Sequence, residues 1–422
     1  MTSERLAAVD AQFYWMSTKL PTDELLLYAF DGDPGDLASA LAALRERAQA
    51  CRELTTRIRD DAVLRYPRWV PAQVKPGQVI IHQLGESTWA ACLAAVAGLD
   101  THQLDATEMS WQVHVFPSVA GIPSATGPGT VVVLQIPHAV ADGGRASALA
   151  AWLFGRATLP SEIRPPRPGS WLTRTAAAVR NQRLLTRHIE AGLITTGVGV
   201  CPAQPTNRGS GGQSGLRTLV RQRSDLPGPT VTVAALSAIS EALGQWLSEH
   251  GCAAEDLDNL GAEVPMAKPG TPLARNHFSP VAVRLYPLVE SALRRRRIAE
   301  DLDNARRRLA HPASRSADEA FAATPAAMLR WGVSLFDPHA RPAQVSGNTV
   351  VSSVYRGPAD LRFGTAPVIV TAGFPTLSPA MGLTHGVHGI GDAIAISVRA
   401  DHSVMPDIDH YLSVLDAALS PR

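Results

Sequence analysis

The chain is poor in cysteine and in net charge, and it has no long apolar run. The formal net charge of +1 gives no overall attraction to nucleic acid, so we expect no nucleic-acid partner. The longest apolar run, residues 89–99, is too short to cross a bilayer, and the N-terminus lacks the basic-then-apolar pattern of a secretion signal. Four cysteines stand too far apart for a zinc site or a redox motif: Cys51, Cys92, Cys201 and Cys252. These absences predict a cytoplasmic protein with reduced thiols and no metal.

The chain does contain enough apolar side chain for two domains. Hydrophobic residues make up 45% and charged residues 18% of the chain, which is typical of globular proteins. The length of 422 residues exceeds what a single hydrophobic core usually supports. Strand-like and helix-like segments mix in both halves, which predicts the α/β (mixed α+β) class. Two breaker-rich stretches flank a bridging helix. We therefore predict an N-terminal lobe over 1–165, a linker with that helix over 166–215, and a C-terminal lobe over 216–422.

One junction stands out from the rest of the chain. The β-branched and apolar residues of 130–136 predict a strand covered on both faces, which ends at Pro137 and His138. A helix follows, because four apolar residues recur at helical spacing: Ala146, Leu149, Ala150 and Leu153. The sequence thus places His138 at a rigid strand end, with Asp142 and Gly143 in the turn before the helix.

Two interpretations of this junction are open. An imidazole that titrates near neutrality can act as a general base, with Asp142 holding neighbouring backbone or an arginine and Gly143 leaving room for a bulky group. Alternatively, His138 is a partly buried, hydrogen-bonded side chain and Asp142 is an ordinary helix N-cap.

Other conspicuous segments carry weaker functional signals. The glycine-rich stretch 209–215 follows no strand and precedes no Lys-Ser/Thr pair, so it indicates a connector and not a phosphate loop. The arginine runs 294–297 and 306–308 are typical of a solvated helix face, with anionic membrane or a nucleotide phosphate as the alternative. His385 and His388 fall in what reads as a glycine-broken loop, and their spacing disfavours zinc. His114 is interpreted as a core residue.

The order of several segments resembles the bacterial wax ester synthase/diacylglycerol acyltransferase family, a branch of the CoA-dependent acyltransferases that includes condensation domains. The matching segments run nearly end to end: residues 9–14, 104–105, 111–114, 138–143, 276–279, 352–358 and 399–407. The resemblance implies two chloramphenicol-acetyltransferase-like lobes. Each is a mixed sheet flanked by helices, and the two meet at a central tunnel.

The resemblance also implies a reaction. A CoA-dependent O-acyltransferase would form a neutral lipid ester from acyl-CoA and a long-chain alcohol or diacylglycerol, without an acyl-enzyme or a permanently bound cofactor. His138 is then the general base, Asp142 pairs internally and holds the loop, and Gly143 admits the pantetheine arm. The chain has no Gly-x-Ser-x-Gly elbow, which agrees with direct transfer. The implied substrate-binding residues are Pro137, Gly144, Trp111, Asn276 and Ser279, of which Asn276 and Ser279 are candidate oxyanion donors.

The sequence departs from the family pattern at four places. Pro137 stands where the family has a first histidine, Thr232-Val233 stands where it has Asn-Asp, residues 352–358 carry a substitution and an extra residue, and 265–268 replace Pro-Val-Ser-x-Arg. These departures favour two alternatives: an acyltransferase of specialised metabolism with a polyketide, sugar or amine acceptor, or a lipid-binding relative without turnover. Contact with the inner face of the membrane or with a lipid droplet is a further expectation.

Overall fold

The computed structural model describes residues 4–164, 169–209 and 212–420. Its helices are α1 (Ala8–Met16), α2 (Leu37–Ala50), α3 (Trp89–Gly98), α4 (Gly143–Leu153), α5 (Trp171–Glu190), α6 (Val231–Glu249), α7 (Ala254–Leu257), α8 (Ser291–Ala310), α9 (Pro312–Ala322), α10 (Ala326–Ser334) and α11 (Ile408–Leu419). Its strands are β1 (Glu4–Arg5), β2 (Asp23–Phe30), β3 (Thr56–Arg59), β4 (Arg68–Pro71), β5 (Val79–Ile81), β6 (Gln112–Val119), β7 (Gly129–Pro137), β8 (Cys201–Pro202), β9 (Ser214–Gln222), β10 (Gly261–Ala267), β11 (Phe278–Arg284), β12 (Gln344–Val345), β13 (Thr349–Tyr355), β14 (Arg362–Phe363), β15 (Ala366–Gly373), β16 (Leu383–Ile390) and β17 (Ala393–Asp401). Residues 166–168 and 210–211 of the predicted linker, and residue 165 before it, lie outside the described residues.

The N-terminal lobe is built on a mixed sheet with the strand order β14-β15-β2-β7-β6-β5. Every residue of β7 is buried, as the continuous apolar run predicted. Its side chains alternate between two cores, because successive residues of a strand point to opposite faces. Val132, Leu134 and Ile136 join the core with α2 and α4, whereas Val131 and Val133 join the core with α3.

The C-terminal lobe is built on a second mixed sheet with the strand order β11-β10-β13-β16-β17-β9. Helices α6, α8 and α11 cover one face and contribute Leu243, Ile298 and Leu415 to its core. The core around α3 also contains Leu216 and Ala395 of this sheet. One apolar cluster is thus shared by the two lobes, and the predicted two-lobed α/β architecture is confirmed.

One segment of the predicted C-terminal lobe joins the N-terminal sheet, which the sequence-based division does not anticipate. Strands β14 and β15 belong by sequence to the predicted C-terminal lobe, yet β15 pairs antiparallel with β2 and completes the N-terminal sheet. Arg362 N–H donates to the Phe154 carbonyl at 2.9 Å, which fixes the return of the chain. The edge of β2 is otherwise open, and backbone groups at an open edge are satisfied by pairing. Residues 362–373 therefore belong structurally to the N-terminal lobe.

The predicted bridging helix is confirmed, whereas the predicted loop around His385 and His388 is a strand. The predicted bridging helix is present as α5, which packs against α9. The segment around His385 and His388, however, is the buried strand β16 and not a loop. A Cβ on Gly386 would collide with the carbonyl oxygen of Gly373, so this glycine permits close backbone approach inside a sheet. In the described ranges, no helix combines the length and apolarity needed to span a bilayer.

Candidate active site

His138 is held at the point where the two lobes face each other. It follows the last residue of β7, and its N–H donates to the Thr22 carbonyl at 3.1 Å. Phe13 stacks on the imidazole with ring centroids 4.0 Å apart and an interplanar angle of 5°, and Phe278 lies on it at 5.4 Å. The side chain is 18% exposed, so the ring is held firmly but is open to solvent. Sequence reasoning identified neither aromatic contact.

A buried polar cluster fixes the backbone of His138. The Nδ2 of Asn276 donates to the His138 carbonyl at 2.8 Å and to Asp10 Oδ1 at 2.9 Å. Asp10 also accepts from the N–H groups of Asn276 and Arg275, at 3.0 and 3.1 Å. Both amide hydrogens of Asn276 are thereby engaged. Asn276, a predicted oxyanion donor, instead holds the backbone of His138, and Asp10 is the anchor that sequence reasoning missed.

Asp142 links the histidine turn to the other lobe. One oxygen, Oδ1, accepts from Arg145 N–H at 2.8 Å and caps α4. The second oxygen, Oδ2, accepts from the backbone N–H of His277 at 2.8 Å. The carboxylate is thus both an N-cap and a connection to the loop between β10 and β11. Through these contacts Asp142 holds the turn after His138 in place against α4 and His277.

Glu24 is a titratable group in the site that the sequence did not indicate. Its Oε1 lies 3.5 Å from Nε2 of His138, and its side chain is 20% exposed. Burial and the Asp142 carboxylate raise the pKa of Glu24 to about 8, although Arg356 acts in the opposite direction. Nε2 of His138 therefore faces a carboxyl group that carries a proton near neutrality.

Burial sets the protonation state of the imidazole. It lowers the pKa of His138 against smaller raising effects of its own backbone, Asp142 and the Asn276 side chain. The ring is consequently neutral at pH 7, which leaves one nitrogen with a free lone pair. Among the described residues, Nδ1 is buried without a hydrogen-bond partner, whereas Nε2 faces Glu24. Nε2 is the atom that can accept a proton.

The remaining predicted residues at the junction line or border the opening. A Cβ on Gly143 would lie 3.8 Å from Val354 Cγ2 and 3.9 Å from both oxygens of Glu24. These are ordinary contact distances, so Gly143 leaves space at the carboxyl group without being required by the backbone. Pro137 is buried at the strand end, and Gly144 is exposed in the first turn of α4.

Two predicted substrate contacts are not brought to His138. Trp111 is fully buried in the N-terminal core, and its indole N–H donates to the Leu54 carbonyl at 2.8 Å. Its large apolar ring is buried in the hydrophobic core, which explains why Trp111 does not contribute to the site as predicted. Ser279 follows Phe278 in β11 and lines a separate cavity of about 320 Å³ that Leu185 and Arg308 also border. Since neighbouring strand residues point to opposite faces, Phe278 and not Ser279 faces the imidazole.

Two departures from the family pattern meet in space. Thr232 at the start of α6 and Ser353 in β13 form a hydroxyl–hydroxyl hydrogen bond of 2.8 Å. The paired positions thus satisfy each other. Three residues after Ser353, Arg356 is buried and donates to Thr371 and to the carbonyls of Leu27 and Ala372. The altered segment therefore inserts a buried cation at the junction of the lobes, close enough to influence Glu24.

The other histidines of interest are structural. His114 accepts or donates in a buried chain with His82 and Gln135, at 2.9 Å each, and burial lowers its pKa to about 4. His385 contacts Thr349 at 2.8 Å and Tyr411 at 2.9 Å. The described part of the chain contains no cluster of histidine, cysteine and acidic residues able to hold a metal ion.

A larger cavity of about 760 Å³ adjoins the site. Asp10, Asn276 and His277 form one wall of this cavity. The same three residues lie between the cavity and the turn that holds His138. Its wall also carries paired charges: Arg145 binds Glu53 through two bonds of 2.6 Å, and Lys268 binds Asp318 at 2.6 Å. The cavity is polar next to the layer that positions the base.

Comparisons with known proteins agree with this geometry. Residues 275–421 match the family model of the WS/DGAT C-terminal domain, whereas no curated protein sequence matches the chain. The wax ester synthase/diacylglycerol acyltransferase from Marinobacter aquaeolei VT8 is similar in structure, with a TM-score of 0.66, 16% identity, and coverage of 98% of this chain and 98% of its own.

Two further solved structures share the fold. The starter condensation domain of rhizomide synthetase, in complex with C8-CoA and Leu-SNAC, has a TM-score of 0.59 and 13% identity over 99% of this chain and 94% of its own. The TRI3 trichothecene 15-O-acetyltransferase from Fusarium sporotrichioides has a TM-score of 0.58 and 12% identity, with the same coverage of 99% and 94%. The predicted resemblance is confirmed: residues 275–421 match the WS/DGAT C-terminal domain, and the chain shares its fold over nearly its whole length with a wax ester synthase/diacylglycerol acyltransferase.

Proposed function

We propose that the chain is a CoA-dependent O-acyltransferase that forms a neutral lipid ester, with His138 as the general base. The observation that carries this proposal is a neutral imidazole that is stacked on Phe13, whose backbone carbonyl is held by Asn276 and whose side chain is partly open between the two lobes. The family match and the C8-CoA bound to a structural relative support acyl-CoA as the donor. The acceptor is a long-chain alcohol or diacylglycerol.

The reaction is a direct transfer. Nε2 of His138 takes the hydroxyl proton as the acceptor oxygen attacks the thioester carbonyl carbon, which is general-base catalysis worth about 10²–10⁴-fold. Collapse of the tetrahedral intermediate breaks the C–S bond, and the protonated imidazole returns the proton to the thiolate of CoA. Asp142 and Asn276 position the ring and make no contact with the reacting atoms.

The proposal is tested by incubating the purified chain with palmitoyl-CoA and, in turn, hexadecanol and dipalmitoylglycerol. We expect acceptor-dependent release of free thiol and formation of the corresponding ester, measured by a thiol reagent and by mass spectrometry. Tight binding of palmitoyl-CoA without product for any acceptor supports the lipid-binding alternative. Turnover confined to sugar, polyketide or amine acceptors supports the alternative in specialised metabolism, which the paired departures at Thr232 and Ser353 favour.

Loss of the Asp142 carboxylate is expected to affect both stability and rate. The Asp142→Ala variant loses an N-cap and the bond to His277, so the free energy of unfolding falls by about 1–3 kcal/mol. Thiol release slows by about 10- to 100-fold, because a small displacement of the base is costly. Both are measured by denaturant unfolding and by the thiol assay.

Asp36 supplies a matched control for this prediction. It caps α2 by accepting from the N–H groups of Ala38 and Ser39, and it is exposed. Asp36→Ala is expected to cost about 0.5–2 kcal/mol of stability with an unchanged rate. An equal loss of rate in both variants contradicts the positioning role of Asp142.

Peripheral membrane contact is the remaining part of the proposal. Arg294 is buried and binds Glu241 and the Ser237 carbonyl, so it is structural. The exposed arginines of α8 are Arg296, Arg297, Arg306 and Arg307, of which Arg306 pairs with Asp303. We expect flotation with phosphatidylglycerol vesicles that is lost between about 0.1 M and about 1 M salt, because exposed charges are screened. Flotation independent of salt, or equal on neutral phosphatidylcholine vesicles, contradicts this contact.

A further inference from the structure

A carboxyl group occupies the position where the acceptor must meet the base. Oε1 of Glu24 lies 3.5 Å from Nε2 of His138, and both side chains are partly open to the cleft. Both oxygens of Glu24 also border the space above Gly143. Among the described residues, Glu24 makes this contact with the imidazole and no hydrogen bond to another side chain that would hold it in the fold. The carboxyl group is therefore available to a ligand.

Acylation of an alcohol does not require this carboxyl group. A hydroxyl loses one proton on acylation, and Nε2 of His138 is sufficient to take it. Burying an unpaired carboxyl beside the base is unfavourable without a partner.

An ammonium acceptor makes use of both groups. It must lose two protons, because only the neutral amine attacks and the resulting nitrogen must lose a second proton to give the amide. The site holds two adjacent titratable groups, Glu24 on β2 and His138 at the end of β7, and each can accept a proton in its basic form. A cation between them also neutralises the carboxylate.

We propose that Glu24 makes the cleft a binding site for a primary ammonium group, so that the chain also catalyses N-acylation of amines by acyl-CoA. This inference rests on the proposed function, since it uses the same base and donor. The carboxylate of Glu24 takes the first proton from the ammonium. The amine lone pair then attacks the thioester carbon while Nε2 takes the second proton. The C–S bond breaks, the thiolate receives that proton, and Glu24 releases its own to water, which yields an amide, CoA thiol and one free proton.

The charges around Glu24 are compatible with this role. The groups that act on it are His138, the Asp142 carboxylate at the N-terminus of α4, and the buried guanidinium of Arg356. Burial and Asp142 raise the pKa of Glu24 to about 8. An alkylammonium has a pKa of about 10, so it arrives as the cation, and the bound cation favours the carboxylate form of Glu24.

The test compares two acceptors with the same carbon chain. Purified wild type and Glu24→Gln are supplied with palmitoyl-CoA and either decanol or decylamine, and ester and amide are quantified by mass spectrometry. We expect wild type to form both products. Glu24→Gln is expected to lower kcat/KM for decylamine by about 10²-fold and to lower kcat/KM for decanol by a smaller factor, because only the ammonium needs the second proton acceptor. Glu255→Gln, at an exposed position, is the matched control and should leave both unchanged.

The pH dependence of the rate distinguishes a Glu24 that transfers a proton from a Glu24 that only supports the structure. For decylamine, wild type should show an inflection near pH 8 that Glu24→Gln lacks and Glu24→Asp retains in part. The folded-state pKa of Glu24 is above that of the unfolded chain, so its stabilising contribution is lost as pH rises through about 8. Glu24→Gln should therefore melt at a higher temperature than wild type at pH 9, with a smaller difference at pH 6.

Each outcome separates the two proposals. Ester formation without any amide overturns N-acylation and leaves the proposed function intact. Equal losses for decanol and decylamine in Glu24→Gln show that the carboxyl positions His138, which also overturns the ammonium site. Absence of both products in wild type removes the proposed function and this inference together.

Discussion

Replacement of His138 by alanine is expected to slow ester-forming CoA release by about 10²–10⁴-fold, the contribution of a general base. Affinity for acyl-CoA should change little, because the imidazole acts on the acceptor proton. In wild type, kcat/KM should be constant above neutrality and fall in acid, since burial lowers the pKa of His138 and only the neutral ring is a base. Thiol release under steady-state conditions measures both.

Truncation at position 138 also removes a ring between Phe13 and Phe278, so a second variant is needed. His138→Gln retains more of the volume and should be equally slow with a melting temperature closer to wild type. His339→Ala, at an exposed histidine, is the control. If the His138 variants keep the wild-type rate while folded, the base has been assigned wrongly.

Removal of the Asp10 carboxylate should have the largest effect on stability. Asp10 is buried and accepts three N–H donors, so Asp10→Ala leaves buried donors without partners. We expect the free energy of unfolding to fall by about 3–5 kcal/mol. The rate should fall by about 10²-fold in protein that remains folded, because Asn276 then no longer holds the His138 carbonyl.

The sign of the pH dependence adds a check on this prediction. Burial raises the pKa of Asp10 to about 6, so its stabilising contribution is complete below about pH 4 and is lost as pH rises through 6. The difference in unfolding free energy between wild type and Asp10→Ala should therefore be larger at pH 5 than at pH 8. Asp258→Ala, at an exposed position, should remain within about 0.5 kcal/mol of wild type. A difference that grows with pH contradicts the raised pKa.

The sequence was sufficient to locate the histidine turn between β7 and α4 because the relevant signal is local. The buried strand, Pro137 and His138 are consecutive, and the helix after Gly143 follows from its apolar spacing. The two-lobed architecture was predicted from the length of the chain and from the family resemblance. The strand β16 was read as a loop because its glycines serve close backbone packing, which depends on neighbouring strands that are distant in sequence.

The groups that surround His138 could not be found by the same reasoning. Asp10 and Asn276 are 266 positions apart, so only the folded chain brings them together. The spacing of Asp10 and Phe13, one helical turn, was the available clue that both face the same site. Glu24 lies in an otherwise apolar strand and has no motif around it. Trp111 shows the opposite error, because a residue in a family-like segment was taken for a contact when it is core.

The pairing of β15 with β2 has a consequence for biosynthesis. During translation the first half of the protein leaves the ribosome with an exposed strand edge, and its sheet stays incomplete until residues 366–373 emerge. Such unpaired edges favour aggregation and chaperone binding. The two halves therefore cannot mature one after the other as independent modules, and a swap of one half between relatives must carry this returning segment with it.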